Sequence, residues 1–262
     1  MASSTEIAHD FPPFIRVYTD GRVERFIAIP HLPPSPDPLT GIQSKDIIIS
    51  PHLQIKSRIF LPKLNPPHKL PLIIYVHGGA FCTASPLNIA TQRFLTPLVS
   101  QTPAVTVAIG YRLAPEHPLP TAYHDCWEAF QWIASHASGR SGEGTDPWIN
   151  DYVDTGREVP DELTRYLYPG SSGSDNDPKL NPGADPHLEK LSISRVLVVV
   201  AGKDYLKPRG VAYYETLRES KWDGSIELVE NEDEDHVFYL LNPSRETAKA
   251  LFQLLISFRN QI

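Results

Sequence analysis

Leu72-Ile-Ile-Tyr-Val76 runs without interruption into His77-Gly-Gly-Ala-Phe81, and this passage decides the fold. Five consecutive apolar residues bounded by turn residues predict a short strand covered on both faces, the pattern of a parallel sheet with helices packed on it. Working outward, Ala104–Ile109 (AVTVAI) is a second such run, and residues near Leu87–Val99 supply the crossover helix of a βαβ unit. Tyr123, Trp127, Phe130 and Ala134, with Ile133 and Ala137, recur at helical spacing. Arg195–Ala201 (RVLVVVA) is predicted as the most deeply buried strand. Gly210–Ser220 is expected to be a helix, Ile226–Val229 a strand, and the segment from about Arg245 a closing amphipathic helix. On the N-terminal side the pattern alternates instead. Phe14–Tyr18 and Val23–Ile27 flank a Thr19-Asp-Gly-Arg turn, and Lys45–Ile49 and Leu53–Leu61 form another antiparallel pair. The expectation is an α/β fold: antiparallel N-terminal strands, then a mostly parallel central sheet with helices on both faces.

The chain of 262 residues fits one domain, with residues 1–45 as an N-terminal cap and strand region. The stretch from Ser138 to Ser194 does not fit. Thirteen of its residues are Gly or Pro and no buried strand can be placed there, which is long for an irregular segment of a compact domain. Composition narrows the function classes. A net charge of −7 without a Lys/Arg run excludes a phosphate-neutralising nucleic-acid surface. No window approaches ~18 apolar residues, so no membrane span is expected, and the N-terminus has no signal-peptide pattern, which points to the cytoplasm. Cys82 and Cys126 are then expected as reduced thiols. The ten histidines show no metal-ligand spacing and no phosphate-binding glycine loop is present, so neither metal nor cofactor is expected.

Three places carry candidate chemistry. Gly78 and Gly79, at the carboxyl end of a strand, free backbone N–H groups to meet a developing oxyanion, though Gly-Gly is also a plain turn. Asp204 follows the Arg195–Ala201 strand in Gly202-Lys203-Asp204, where a carboxylate can orient a histidine or simply cap a helix. His236, in Glu234-Asp-His-Val-Phe238, lies 32 residues further on, just past a strand, where it can act as general base. The order of glycine turn, Asp and His on successive strand ends is more specific than any one of them.

Tyr75-Val-His-Gly-Gly-Ala-Phe-Cys82, Tyr111-Arg-Leu-Ala-Pro-Glu-His-Pro-Leu-Pro120, Asp146-Pro-Trp-Ile-Asn-Asp151 and Glu234–Phe238 resemble the plant carboxylesterases, from the hormone-sensitive-lipase-like branch of the α/β-hydrolases. The resemblance runs from about Phe14 to the end. It implies hydrolysis of small carboxylic esters by a Ser-Asp-His triad, with a small-molecule ester or a plant secondary metabolite as partner. Asp204 and His236 are the implied triad members, and the amides of Gly78, Gly79 and Ala80 the implied oxyanion hole. Tyr111–Pro120 and Asp125 match structural positions. Two departures stand out. Ala80 replaces the family's third glycine, as in the 2-hydroxyisoflavanone dehydratases, so water elimination from a flavonoid is a variant reading; alanine serves here provided the position does not need φ > 0. More severely, the family's G-x-S-x-G elbow is absent. Asp151-Tyr-Val-Asp-Thr155 passes through Gly156–Asp161 to Leu163–Gly170, which resembles a stretch well past the elbow. Ser171 and Ser172, in Gly170-Ser-Ser-Gly-Ser174, imitate it without a preceding strand. The reading is an internal loss of the central strand-elbow-helix unit, leaving an inactive or impaired hydrolase. A non-catalytic, hormone-receptor-like binding module is the alternative from another class, although the gibberellin receptors that resemble these enzymes lack the histidine retained here.

Overall fold

The computed structural model describes residues 5–63, 69–137, 146–153 and 182–261. They fall into two compact units, divided between Glu158 and Val159.

In the first unit, β1 (Ile7–Phe11), β2 (Ile15–Tyr18) and β3 (Val23–Arg25) form an antiparallel meander. The β2–β3 hairpin turns at Gly21, whose φ of 84° suits glycine. A second sheet holds β4 (Gln43–Ser50), β5 (Ile55–Leu61), β6 (Leu72–Val76) and β7 (Val105–Ile109) in the order β4-β5-β7-β6. Only β6 and β7 are parallel, from Leu72↔Val105 to Val76↔Ile109. Helices α1 (Ile89–Gln101), α2 (Thr121–Ala137) and α3 (Pro147–Tyr152) cover this sheet. The two-residue period of the strands sorts the packing. Ile59, Leu61, Val105, Val107 and Ile109 join Ala129 and Ile133 of α2 and Ile149 of α3. Phe60 and Ala108, one residue out of phase, join Leu95 and Val99 of α1. Asn88 caps α1 by accepting from the Thr91 N–H at 2.8 Å.

The second unit is a parallel pair, β8 (Arg195–Ala201) and β9 (Ser225–Asn231), paired from Arg195↔Ser225 to Ala201↔Asn231. Helix α4 (Lys207–Glu219) places Leu217 with Leu188, Trp222, Val196 and Ile226. The short α5 (Phe238–Leu241) and the closing α6 (Glu246–Asn260) gather Phe238, Ala248 and Leu251 around Ala201 and Val199 on the opposite strand face. No helix among the described residues is long and apolar enough to cross a membrane.

Several elements differ from the sequence expectation. β6 is not covered on both faces: it is half-buried along most of its length and Val76 is 45% exposed. It pairs with β7 on one side only, and among the described residues its other side carries no strand. β8, predicted to be the most deeply buried, is fully buried only at Val200 and Ala201, and β9 is its one partner among those residues. An apolar run records what a strand is built to pack against, and here both runs exceed the cover they have. Helix α4 begins three residues before Gly210, with Pro208 in its first turn where the missing N–H costs nothing. β1, α3 and α5 have no counterpart in the sequence expectation. Most of the irregular 138–194 stretch, Ser171 and Ser172 included, lies outside the described residues.

Candidate active site

The parallel register sets the geometry of the second unit. Because Ala201 lies opposite Asn231, the chains leaving β8 and β9 emerge side by side. The Gly202 N–H donates to the Asn231 carbonyl at 2.8 Å, and the Lys203 N–H to the Glu234 carbonyl at 3.0 Å. The approach is so close that a Cβ on Gly202 would sit 2.0 Å from the Glu232 carbonyl oxygen. Glycine is required there by space rather than by dihedral angle.

These two stitched loops bring Asp204 and His236 together. His236 Nδ1 donates to Asp204 Oδ2 at 2.7 Å. The other carboxylate oxygen, Oδ1, accepts from the Leu206 N–H at 2.8 Å, so the carboxylate is held at both ends. The Asp204 side chain is 13% exposed and that of His236 is 48% exposed. A carboxylate accepting the Nδ1–H hydrogen bond fixes the tautomer whose Nε2 carries the lone pair. Among the described residues no group hydrogen-bonds to Nε2. Tyr205 flanks the imidazole, ring centroids 5.9 Å apart.

Two further features hold His236 in place. Glu234 is buried, accepting from Arg245 Nη1 at 2.7 Å and from the Thr247 hydroxyl. Val237 adopts φ 50°, a left-handed conformation that is rare for a β-branched residue. It turns the chain between exposed His236 and Phe238, which is buried at 4% in the core. Burial of Phe238 offsets the backbone strain, of order 1–3 kcal/mol.

In the first unit, the turn after β6 is built by Gly79. Its carbonyl accepts from the N–H groups of Cys82 (3.0 Å) and Thr83 (2.9 Å) and from the Thr83 hydroxyl (3.0 Å). At φ 122°, and with any Cβ at this position falling 2.4 Å from the Thr83 carbonyl oxygen, only glycine fits. Gly78 and Ala80 are at least partly exposed. Among the described residues no carbonyl accepts from the N–H of Gly78, Gly79 or Ala80, so three donors are left for another acceptor. Ala80 has φ 51° and Phe81 φ 58°. The replacement of glycine by Ala80 is therefore not conformationally free: the position does require positive φ, at a cost of about 1–2 kcal/mol for an L-residue.

His77 supports this turn. Its ring is buried, stacks on Tyr111 at 4.2 Å and places Nδ1 2.8 Å from the Gly78 carbonyl. Burial pushes its pKa below the usual histidine value, opposed by that hydrogen bond. The Tyr111 hydroxyl donates to the His77 carbonyl at 2.9 Å, and burial raises its own pKa. Arg25, absent from the sequence expectations, reaches from β3 to the Cys82 carbonyl (2.7 Å), the Ala114 carbonyl (3.1 Å) and both oxygens of Glu116 (2.9 and 2.6 Å). It ties the hairpin, the glycine turn and the Tyr111–Pro120 loop into one piece. Nothing in the sequence marks an arginine on a three-residue strand for that task. Asp125 is fully buried and accepts from the Arg112 backbone N–H, Nε and Nη2 at 2.8, 2.9 and 2.7 Å.

Among the described residues, no cluster of three His, Cys, Asp or Glu side chains could hold a metal ion. An open polar depression of about 420 Å³, lined by Asp185, Glu189, Glu219 and Lys221 among others, contains neither Asp204 nor His236.

A sequence profile described as the alpha/beta hydrolase fold matches residues 73–159 and, as a second piece, 150–240. The chain is 36% identical over 326 residues to a 2-hydroxyisoflavanone dehydratase of Glycyrrhiza echinata, spanning 98% of this chain and 99% of that protein. It is 34% identical over 319 residues to an Arabidopsis thaliana protein named probable carboxylesterase 2, spanning 100% and 99%. An alignment of 326 positions on a chain of 262 residues leaves at least 64 positions of the first relative unmatched (326 less 262). Among solved structures, a hyperthermophilic esterase from the archaeon Pyrobaculum calidifontis superposes with a TM-score of 0.60 at 20% identity, over 82% of this chain and 84% of that one, a likeness of fold.

Proposed function

The chain belongs to the α/β-hydrolase fold family, and from that premise we propose that it is a carboxylesterase-lineage scaffold for small carboxylic esters that has lost its nucleophile. Asp204 and His236 are its acid and base, and the amides of Gly78, Gly79 and Ala80 its oxyanion donors. The observation that carries this reading is the 2.7 Å contact between two side chains 32 residues apart in sequence, each on a loop leaving a parallel strand. In a complete triad that imidazole would take the serine proton while the carboxylate stabilised the resulting cation.

On this reading the serine-bearing strand, elbow and helix were lost between Thr155 and Leu163. That loss is supported by the absence of G-x-S-x-G, by the two-piece family match overlapping at residues 150–159, and by the unmatched positions in the longer relatives. Within its own unit, each of β6 and β8 has a single strand partner among the described residues, which agrees with a loss of strands from the fold. The test is a fluorophosphonate probe, which forms a stable adduct only with an activated serine. No labelled serine is expected, and p-nitrophenyl acetate turnover should fall far below that of an intact esterase. A stoichiometric adduct on Ser171, Ser172 or any other serine would overturn the reading.

A second reading has one specific observation in its favour. Ala80 occupies the third glycine position, and a 36% identical relative is named a 2-hydroxyisoflavanone dehydratase. Incubation with 2-hydroxyisoflavanone decides it, since release of the isoflavone requires no serine adduct. Thermal stabilisation by that ligand without product would instead favour a binding role.

A further inference from the structure

The Asp204–His236 pair is complete without any serine. We propose that His236 is itself a nucleophile in this chain, taking acyl groups from esters with good leaving groups, such as aryl or enol esters. The inference rests on the reading that the family's serine is absent. Its geometry lies wholly within the second unit.

Three observations carry it. First, the tautomer is set: Nδ1 donates to Asp204 Oδ2 at 2.7 Å, leaving the lone pair on Nε2. Second, the carboxylate cannot turn away, because Oδ1 is occupied by the Leu206 N–H and Asp204 is largely buried. Third, the imidazole is 48% exposed and, among the described residues, nothing hydrogen-bonds to Nε2. Such a nitrogen presents an exposed lone pair in one fixed tautomer, as a nucleophilic imidazole requires.

The reaction balances with water as the sole co-reactant. The Nε2 lone pair attacks the ester carbonyl carbon, and the C–O bond breaks with its electron pair leaving on the aryl oxide. The acylimidazolium loses its Nδ1 proton to solvent and becomes a neutral acylimidazole. Water then adds to the carbonyl, the C–Nε2 bond breaks, and carboxylate and neutral imidazole are released with a second proton to solvent. An alkyl ester would not enter this cycle, because imidazole is expelled from the tetrahedral adduct more readily than an alkoxide.

The full chain is mixed with p-nitrophenyl acetate, quenched in acid and mapped by peptide mass spectrometry. An acetyl adduct on His236 at least tenfold above that on His9 and His187 is expected; both of these are exposed and serve as controls within the same molecule. Asp204→Asn should lower His236 acetylation tenfold or more, because an amide donating to Nδ1 forces the proton onto Nε2. Equal acetylation of His236, His9 and His187 in the unmodified chain would overturn the proposal, whatever the variant does. An acetyl group stable on a serine would overturn it together with the missing-nucleophile reading; absence of any histidine preference without a serine adduct would overturn it alone.

Discussion

Gly202→Ala tests whether the two strand-end loops hold the Asp–His pair. The added Cβ would lie 2.0 Å from the Glu232 carbonyl oxygen, 2.6 Å from its carbon and 2.7 Å from Cα, all backbone atoms that cannot rotate aside. Ordinary contact begins near 3.4 Å, so the loops must part by at least 1.4 Å along that line (3.4 less 2.0). The Gly202–Asn231 and Lys203–Glu234 hydrogen bonds, 2.8 and 3.0 Å long, then exceed bonding distance. Two net hydrogen bonds are worth about 2 kcal/mol together, and overpacking adds about 1–3 kcal/mol. Reduced entropy of the unfolded chain returns only about 0.4–1 kcal/mol. The result is a destabilisation of about 2 kcal/mol or more. Read by amide hydrogen exchange, β8 and β9 should open about 30-fold more often. The same displacement carries Asp204 away from His236, so the low-field Nδ1 proton resonance of the pair should disappear from the NMR spectrum. Exchange within about threefold of the parent, a difference of only about 0.7 kcal/mol, with that resonance intact, would refute the idea that close backbone approach at Gly202 positions the carboxylate.

Ala80→Gly should stabilise the chain by up to about 1.5 kcal/mol in chemical denaturation. Relief of the left-handed strain, about 1–2 kcal/mol, outweighs the extra backbone entropy of glycine, about 0.5–1 kcal/mol. A loss of stability would show that φ 51° is not strained there. Asp125→Asn removes an ionised acceptor from three Arg112 donors and turns an NH2 toward them. Since the Arg112 side chain is 28% exposed and stays partly hydrated, the expected loss is about 2–3 kcal/mol rather than more, measured as a lower denaturation midpoint. Burial, with a smaller contribution from Asp125, pushes the Cys126 thiol from 9.0 up to about 12. In that window the unfolded chain releases a proton that the folded chain keeps. Stability from this group is therefore intact below pH 9 and is lost as pH rises toward 12. Melting curves across that range should show the decline, and Cys126→Ala should flatten it. Tyr111, also raised by burial, adds to the decline at the alkaline end.

Periodicity made most of the fold legible. The alternation in Lys45–Ile49 and in Leu53–Leu61 placed an antiparallel pair correctly, because one residue of phase decides which side chains meet α1 and which meet α2. The apolar runs at Leu72–Val76 and Arg195–Ala201 located strands but overstated their burial. A run reports the hydrophobic demand of both strand faces; it does not report whether the neighbours that would satisfy that demand are there. β1 was missed because Ile7–Phe11 is exposed along its whole length, so no core-facing stripe marks it.

The site divides along a similar line. Asp204 and His236 were legible because each follows a strand, and parallel strands in register put their exits side by side. The glycine turn was legible from composition, whereas the dihedral at Ala80 was not: nothing in a sequence distinguishes an alanine at φ 51° from one in extended backbone. The supporting contacts were invisible for a different reason. Arg25 meets Cys82 and Ala114 through their carbonyl oxygens, and Tyr111 meets His77 in the same way. Every residue carries a carbonyl, so such contacts impose no residue type on the partner. Side chains that recognise side chains leave a pair of residue types, readable where each also follows a strand, as at Asp204 and His236, and not where neither position is marked, as at Arg25 and Glu116. Side chains that recognise backbone leave only half of one, and a variant at Arg25 or Tyr111 should accordingly disturb the glycine turn, while substitutions of Cys82 or Ala114 that keep the backbone in place leave those hydrogen bonds intact.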